Sequence, residues 1–401
     1  MAESNTRPVV YLDNAATSFP KAPTVAPAIS EFLQNAAVNP GRSAHRLSLH
    51  AATLVEKTRL KLAELIHAED HRRIIFTSGC TASLNLAIDG ILQHFAGKGV
   101  TPHVVSTVVE HNSVLRPLFA AQQRGLVSLT LVPCDTAGRI DPADIARALT
   151  PDTTLVVVTA ASNALGTIQP LGAIGKVVAE ADGPLFLVDA AQGMGLLDID
   201  VQRDSVDLLA FPGHKTLLGP TGIGGLYVGR RVCSVDSPGS SLLQAVFSGG
   251  TGSDSQNPSM PDLLPDHYEP GTLNTTGIAG LAAAAEWLAQ HNPREMLQHE
   301  QSLANLAADR LRDLGGVTVF GPGSNERVGI VAFCTESFVP QELAALLDDP
   351  FNIAVRAGLH CAPRVHEHLG LLPGGTVRIS FGPFNTESDV DAVVRALEQL
   401  L

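Results

Sequence analysis

From about residue 51 onward, short unbroken apolar runs alternate with longer segments of helical period, and few folds accommodate that alternation. Runs at residues 74–76, 103–108, 127–132, 155–159, 185–188, 208–210 and 225–228 read as buried strands. The stretch 54–66 is helical in period. Leu84, Ala87, Ile88 and Ile91 then follow at i, i+3, i+4 and i+7, the stripe of an amphipathic helix. Parallel strands need a crossover of roughly a dozen residues or more, and helices are the usual way to make it. The pattern predicts an α/β fold around a mostly parallel, seven-stranded sheet.

A chain of 401 residues is too long for one simple core. Beyond residue 270 the pattern changes: an alanine-rich helix at 279–288, a helix around 303–314, strands at 317–320 and 328–333, and a helix at 341–347. A strand at 376–381 and a closing helix from Glu387 complete a smaller α+β unit. The expected division is an N-terminal arm, 1–20, packing on the small domain, a large domain, 21–275, and a small domain, 276–401. The stretch 236–270, rich in Gly, Ser, Pro and Asp, is too long for a simple connector and is expected to line a site or an interface.

The formal charge of −13 argues against a nucleic-acid partner, so any anionic ligand must be held by a local site. No apolar stretch is long enough for a membrane span, and residues 1–10 carry no apolar signal core. Five cysteines, an odd number without a CxxC pair, fit no complete disulfide framework. A reduced, cytoplasmic protein with a thiol available for chemistry is expected.

Chemistry-bearing residues recur where the apolar runs end. Asp189 closes the run Leu185, Phe186, Leu187, Val188, which places it at a strand's carboxyl end, where open α/β sheets bind ligands. Lys215 follows Phe211-Pro212-Gly213-His214, a turn that can aim a lysine into a cavity. Taken singly these are a capping aspartate and a surface lysine. Together they are what pyridoxal phosphate requires: a lysine to hold it as a Schiff base, and an acid to keep its pyridine nitrogen protonated. Thr77-Ser78-Gly79-Cys80-Thr81 joins a strand to a helix and suits an anion, because the first helical amides are unpaired donors. His111, in Glu110-His111-Asn112-Ser113, is placed to stack on a heteroaromatic ring, to relay a proton, or simply to cap a helix. Asn163, in Ser162-Asn163-Ala164-Leu165-Gly166-Thr167, suits a substrate carboxylate or a ring hydroxyl, or simply a turn.

In this order, and with Tyr11-Leu12-Asp13-Asn14-Ala15-Ala16-Thr17 and Gly219-Pro220-Thr221-Gly222-Ile223-Gly224-Gly225, the residues resemble the class V aminotransferase group of fold-type I pyridoxal-phosphate enzymes. Within it they resemble the cysteine desulfurase and selenocysteine lyase branch. The resemblance implies roles. Lys215 would carry the cofactor and move protons, Asp189 would pair with the pyridinium nitrogen, and Gln192 would bond the ring hydroxyl. His111 would stack on the ring, Asn163 would face the substrate carboxylate, and Cys80, Thr81 and His214 would lie on the phosphate. Thr272, in Glu269-Pro270-Gly271-Thr272, looks like the residue lent to a neighbouring subunit's phosphate, which implies a homodimer with shared sites. Pro212 departs from the pattern: relatives carry a phosphate-binding serine there, and proline has neither hydroxyl nor N–H, so one contact fewer is expected.

The C-terminal segment bears on the reaction. Arg356 precedes Cys361 by five residues in Val355-Arg356-Ala357-Gly358-Leu359-His360-Cys361-Ala362-Pro363, and Arg378 follows in a strand. A guanidinium grips a carboxylate with two hydrogen bonds. A thiol attacks sulfur only as thiolate, a form that nearby cations favour. The loop resembles the nucleophile loop of Suf-type (group II) desulfurases. It implies conversion of L-cysteine to L-alanine, with a persulfide left on Cys361 for a thiol or an acceptor protein. Selenocysteine lyase and a C–S β-lyase acting on a cysteine conjugate are the alternatives on the same scaffold. His360, Cys361, His366 and His368 crowd together, but no tetrahedral ligand set is evident and no metal is expected. His45, beside the Gly-containing stretch 39–44, is expected at the substrate entrance.

Overall fold

The computed structural model describes residues 8–40, 45–233, 241–253, 256 and 258–401. In chain order β1 (Val10–Tyr11) comes first, and the large unit then contains α1 (Val25–Asn35), α2 (Arg46–Glu64), β2 (Ile74–Thr77), α3 (Cys80–Ala96), β3 (His103–Thr107) and α4 (Asn112–Gln123). There follow β4 (Ser128–Val132), α5 (Pro142–Ala148), β5 (Thr153–Thr159), α6 (Leu171–Glu180), β6 (Leu185–Asp189), β7 (Leu208–Pro212), β8 (Gly224–Val228) and α7 (Thr275–Ala289). Seven of these strands form one sheet in the order β2-β8-β7-β6-β5-β3-β4. Neighbours from β7 through β4 pair in parallel, while β8 runs antiparallel to both β7 and β2.

Alternate residues of each strand feed opposite cores. Val156, Val158, Val188 and Phe211 join the cluster under α2, α6 and α7, while Leu155, Val157, Leu187 and Ala210 join the cluster under α3 and α4. Both faces being covered, the strands read as continuous apolar runs. The register is what matters for function. Thr159 lies opposite Asp189, Asp189 opposite Ala210, and Pro212 and Thr77 both lie opposite Gly224. The carboxyl ends of β2, β5, β6 and β7 thus reach one rim.

The second unit holds α8 (Pro293–Asp313), β9 (Val317–Phe320), β10 (Ile330–Thr335), α9 (Pro340–Asp348), β11 (Ile353–Ala354), β12 (Arg356–Gly358), α10 (Pro363–His368), β13 (Thr376–Ser380) and α11 (Glu387–Leu400). Its antiparallel sheet runs β12-β13-β10-β9 and buries Val331, Phe333, Val377 and Ile379 against α8, α9 and α11. Leu12 belongs to the same core, and β1 pairs in parallel with β11. A few residues on, Ser18 N donates to His214 O, so the N-terminal segment touches both units.

Several boundaries differ from the sequence reading. α8 starts at Pro293, about ten residues earlier than its apolar period suggests, because Asn292 caps it by accepting from Arg294 N. β10 starts at Ile330 instead of residue 328. The sequence reading misses α1, whose stripe Val25, Ile29 and Phe32 precedes the residue-51 start of the alternation, and α10, whose six residues are too few to show a period. The described parts of 236–270 form one 3-10 turn, Asp266–Tyr268, and then lay Glu269 against β2, where its carboxylate meets Arg59 and Phe76 N.

Gly224 shows how tightly the rim is built. A Cβ there would meet Phe211 O at 2.5 Å and Gly79 Cα at 2.7 Å, so only glycine lets the 78–79 turn rest on β8. Gly224→Ala is expected to destabilise the protein by about 1–3 kcal/mol. A chemical-denaturation midpoint equal to that of the parent would refute this packing.

Candidate active site

The rim opens into a cavity of about 360 Å³. Cys80, Thr81, His111, Asn163, Asp189, Gln192, His214, Lys215, Arg356, Cys361 and Arg378 all line it. Those side chains come from seven segments spread over some 300 residues, and the strand register brings them to one place.

The turn between β2 and α3 passes through Gly79 at φ +148°, which an L side chain rarely adopts. No side chain caps α3, so its first amides and the positive end of its dipole face the cavity. Asp189 is 2% exposed. Its Oδ1 accepts from Ala191 N at 2.9 Å and from the Cys80 thiol at 3.3 Å, which orients the carboxylate and leaves Oδ2 for a ligand. Burial and the neighbouring Asp189 charge push the Cys80 thiol well up, so it stays protonated as that donor. Gln192 Nε2 donates to Ala15 O at 2.9 Å. Burial is the largest influence on Lys215 and lowers its pKa, as do the Arg378 and Arg356 charges; Asp189 and Cys80 act the other way. An amine that gives up its proton readily suits a nucleophile.

His111 performs the capping role and lines the cavity as well. Its Nδ1 accepts from Ser113 N at 3.0 Å, which leaves the proton on Nε2. Burial, then Lys215, brings its pKa down to about 4, so the ring is neutral in ordinary buffers. Beneath it Glu110 is fully buried, with Oε1 accepting from Thr107 Oγ1 at 2.6 Å and Thr159 N at 3.0 Å.

The far wall belongs to the second unit. Arg356 and Arg378 stand directly opposite each other across β12 and β13. Like charges so placed repel. Arg378 is compensated: Nη2 bonds Asp13 Oδ1 at 2.7 Å and Nη1 bonds Asn163 O at 2.8 Å. Arg356 is exposed at the cavity mouth, where a ligand carboxylate would relieve the repulsion. Cys361 sits between β12 and α10. It is exposed, and it and His360 both have positive φ, +56° and +47°. Two bonds from the large unit hold this strained pair: Asn163 Nδ2 to His360 O at 2.6 Å, and Asn112 N to Cys361 O at 2.7 Å.

Two expected residues lie elsewhere. His45 caps α2, its Nδ1 accepting from Ser48 N, and is not among the residues lining the cavity; positions 41–44 beside it lie outside the described residues. Thr272 is exposed and lines an adjoining cavity that shares Ser78, Ala82 and Gly222 with this one. Pro212 is in the wall as the last residue of β7. The C-terminal histidines are engaged separately: His360 with Thr376, His366 with Ala362 O and His368 with Cys134 O. The sequence reading missed Ser78, Thr221, Gly222 and Ser113 as lining residues. All four stood within motifs already singled out. Asp13 as the partner of Arg378 had no local signal.

The residues present fit a phosphorylated pyridine aldehyde. There is an amine with a lowered pKa, a buried carboxylate with one oxygen free, and an uncapped helix end for a phosphate. Such a cleft at the carboxyl ends of a mostly parallel sheet, closed by a small antiparallel unit, defines a fold-type I enzyme. The family model for aminotransferase class-V matches residues 10–393, and the chain belongs to that family. Membership implies a pyridoxal phosphate cofactor. A probable cysteine desulfurase of Methanothermobacter thermautotrophicus is 34% identical over 98% of this chain and 94% of its own length. The cysteine desulfurase CsdA of Escherichia coli is 35% identical, also over 98% and 94%. The apo structure of the cysteine desulfurase of Thermococcus onnurineus NA1 superimposes with a TM-score of 0.88 at 32% identity, covering 98% of this chain and 94% of that one.

Burial raises the Glu110 pKa from 4.5 to about 8. Between those values the folded protein holds a proton that the unfolded chain has released. Glu110 therefore makes stability fall as pH rises through that window, with the full value present only below it. Glu110→Gln keeps the shape without the titration and should flatten the fall. Urea midpoints at pH 5 and pH 8 check this; an unchanged pH slope in the variant would exclude it.

Proposed function

We propose that the protein is a pyridoxal-phosphate-dependent cysteine desulfurase that converts L-cysteine to L-alanine and leaves a persulfide on Cys361. The observation that carries this reading is the presence of Cys361 in the same cavity as Lys215, Asp189 and two arginines. When bound, the cofactor draws electrons from the substrate α-carbon and so labilises the Cβ–S bond.

Lys215 would hold the cofactor and, as the free amine, would move the proton at the α-carbon. The free oxygen of Asp189 would take the pyridinium N–H, and Gln192 would bond the ring hydroxyl. Neutral His111 would pack on the ring face, and Cys80 N, Thr81 and His214 would hold the phosphate. The substrate carboxylate lies between Arg356 and Arg378, with Asn163 beside it; that asparagine also holds the Cys361 loop. Cys361 attacks as thiolate on the substrate sulfur. The new S–S bond forms as the Cβ–S bond breaks, and the bonding pair goes to Cβ, which is then protonated to give alanine. A thiol or an acceptor protein removes the terminal sulfur.

The division into an arm at 1–20, a large domain at 21–275 and a small domain at 276–401, with the second boundary moved past α7 because that helix packs on α1 and α2, places Lys215 and Cys361 on different units. Thr272, exposed in an adjoining cavity, supports a homodimer in which it completes the partner's phosphate site. All five cysteines are free, which suits a reducing compartment such as the cytoplasm, and no described helix is long and apolar enough to cross a membrane.

The test is product analysis with L-cysteine and a reductant. Alanine and sulfide should appear in equal amounts, and Cys361→Ala should lower both by about a hundredfold or more. Pyruvate with ammonia, or turnover indifferent to the substitution, would move the assignment to a lyase acting on another substrate.

A further inference from the structure

Behind the turn that carries Lys215 lies a lysine to which no role has been given. Lys21 Nζ donates to three neutral oxygens: His214 O at 2.8 Å, Thr17 Oγ1 at 3.0 Å and Ser18 Oγ at 3.1 Å. Burial brings its pKa down to about 8. An ammonium kept there without a carboxylate in its hydrogen bonds costs desolvation free energy.

The hydrogen bonds constrain one another. An ammonium only donates, so Thr17 Oγ1 must accept from Lys21. The His214 carbonyl takes Lys21 Nζ and also Ser18 N at 3.0 Å, which fills its two lone pairs, and the Ser18 hydroxyl competes for the same oxygen at 3.2 Å. Thr17 is 3.1 Å from that carbonyl and 3.0 Å from His214 Nδ1. With the carbonyl occupied, the hydroxyl proton goes to Nδ1. The imidazole is neutral, since burial and the Lys215 and Lys21 charges bring its pKa down to about 4. A neutral ring whose Nδ1 accepts carries its proton on Nε2. The ring lines the active-site cavity, and with Nδ1 turned to Thr17, Nε2–H is the atom left for a ligand.

We propose that Lys21 is a positioning residue: acting through Thr17, it locks His214 in the Nε2–H tautomer, so that the cavity offers a donor to an anionic group. That the anion is the cofactor's phosphate rests on the function proposed above; the tautomer does not. Lys21 thereby offsets part of the donor capacity that Pro212, without an N–H, cannot provide.

The test uses full-length protein labelled with 15N-histidine, with the His214 resonance assigned by its loss in His214→Gln. In the cofactor-stripped protein His214 should show a protonated Nε2 and a bare Nδ1. Thr17→Ser keeps the hydroxyl and should keep that signature. Thr17→Val and Lys21→Met should each release it and weaken inorganic phosphate binding about tenfold, the scale of one charge-assisted hydrogen bond. A protonated Nδ1 in the parent protein, or a Thr17→Val protein with parental tautomer and phosphate affinity, would overturn the proposal. Should Lys21→Met fail to fold, the Thr17→Ser and Thr17→Val pair decides alone. A desulfurase reading that failed through Cys361→Ala would leave the His214 signature untouched.

Discussion

Parallel pairing of β3 through β7 is the constraint on which the rest depends. In a parallel sheet the carboxyl ends of successive strands share one rim, and each strand's last residue is followed at once by a turn free to point inward. The Thr159–Asp189–Ala210 register sets the depth of that rim. A shift of one residue in β6 would turn Asp189 to the other face of the sheet, away from Cys80 and the cavity. Gly224 then lets the 78–79 turn and β8 approach within the space of a missing methyl group, while Gly79 permits the positive φ of the turn.

Electrostatics organises what the rim collects. Two arginines face each other at the far wall of the cavity, a half-buried lysine lines it from the large unit, and a second lysine lies beneath the turn. Few acids offset this charge. Asp13 and Asp189 each make directed contacts, while Glu110 is held neutral by burial. The cavity is therefore positive in a protein of strongly negative net charge. That contrast suits an anionic cofactor and a carboxylate substrate, which a long-range field alone would repel.

Two units build the site, and the contacts between them place the thiol. His360 and Cys361 adopt a conformation that costs free energy, and the bonds from Asn163 and Asn112 make it the stable one. The N-terminal segment adds a second tie, since it pairs with β11, supplies Asp13 to Arg378 and then reaches His214. Relative motion of the units would change the distance between Cys361 and Lys215. These ties are thus part of the chemistry as well as of the packing.

By itself the sequence determined the strand runs, their order, and the turns that bear Asp189, His111, Asn163 and Lys215. Each of those is a local pattern of apolar period ended by a small or polar residue. Cys361 was set apart from the other cysteines by the resemblance of residues 356–363 to a desulfurase nucleophile loop. Tertiary structure alone decided the rest, because the deciding contacts join residues far apart in the chain. Asp13 meets Arg378 across 365 positions, Asn163 holds His360 across 197, and Lys21 meets His214 across 193. Helix periodicity could not show α10, which is only six residues long, nor that His45 caps a helix away from the cavity. A proton's position on an imidazole depends on every donor and acceptor around it, and no local pattern of residues encodes that.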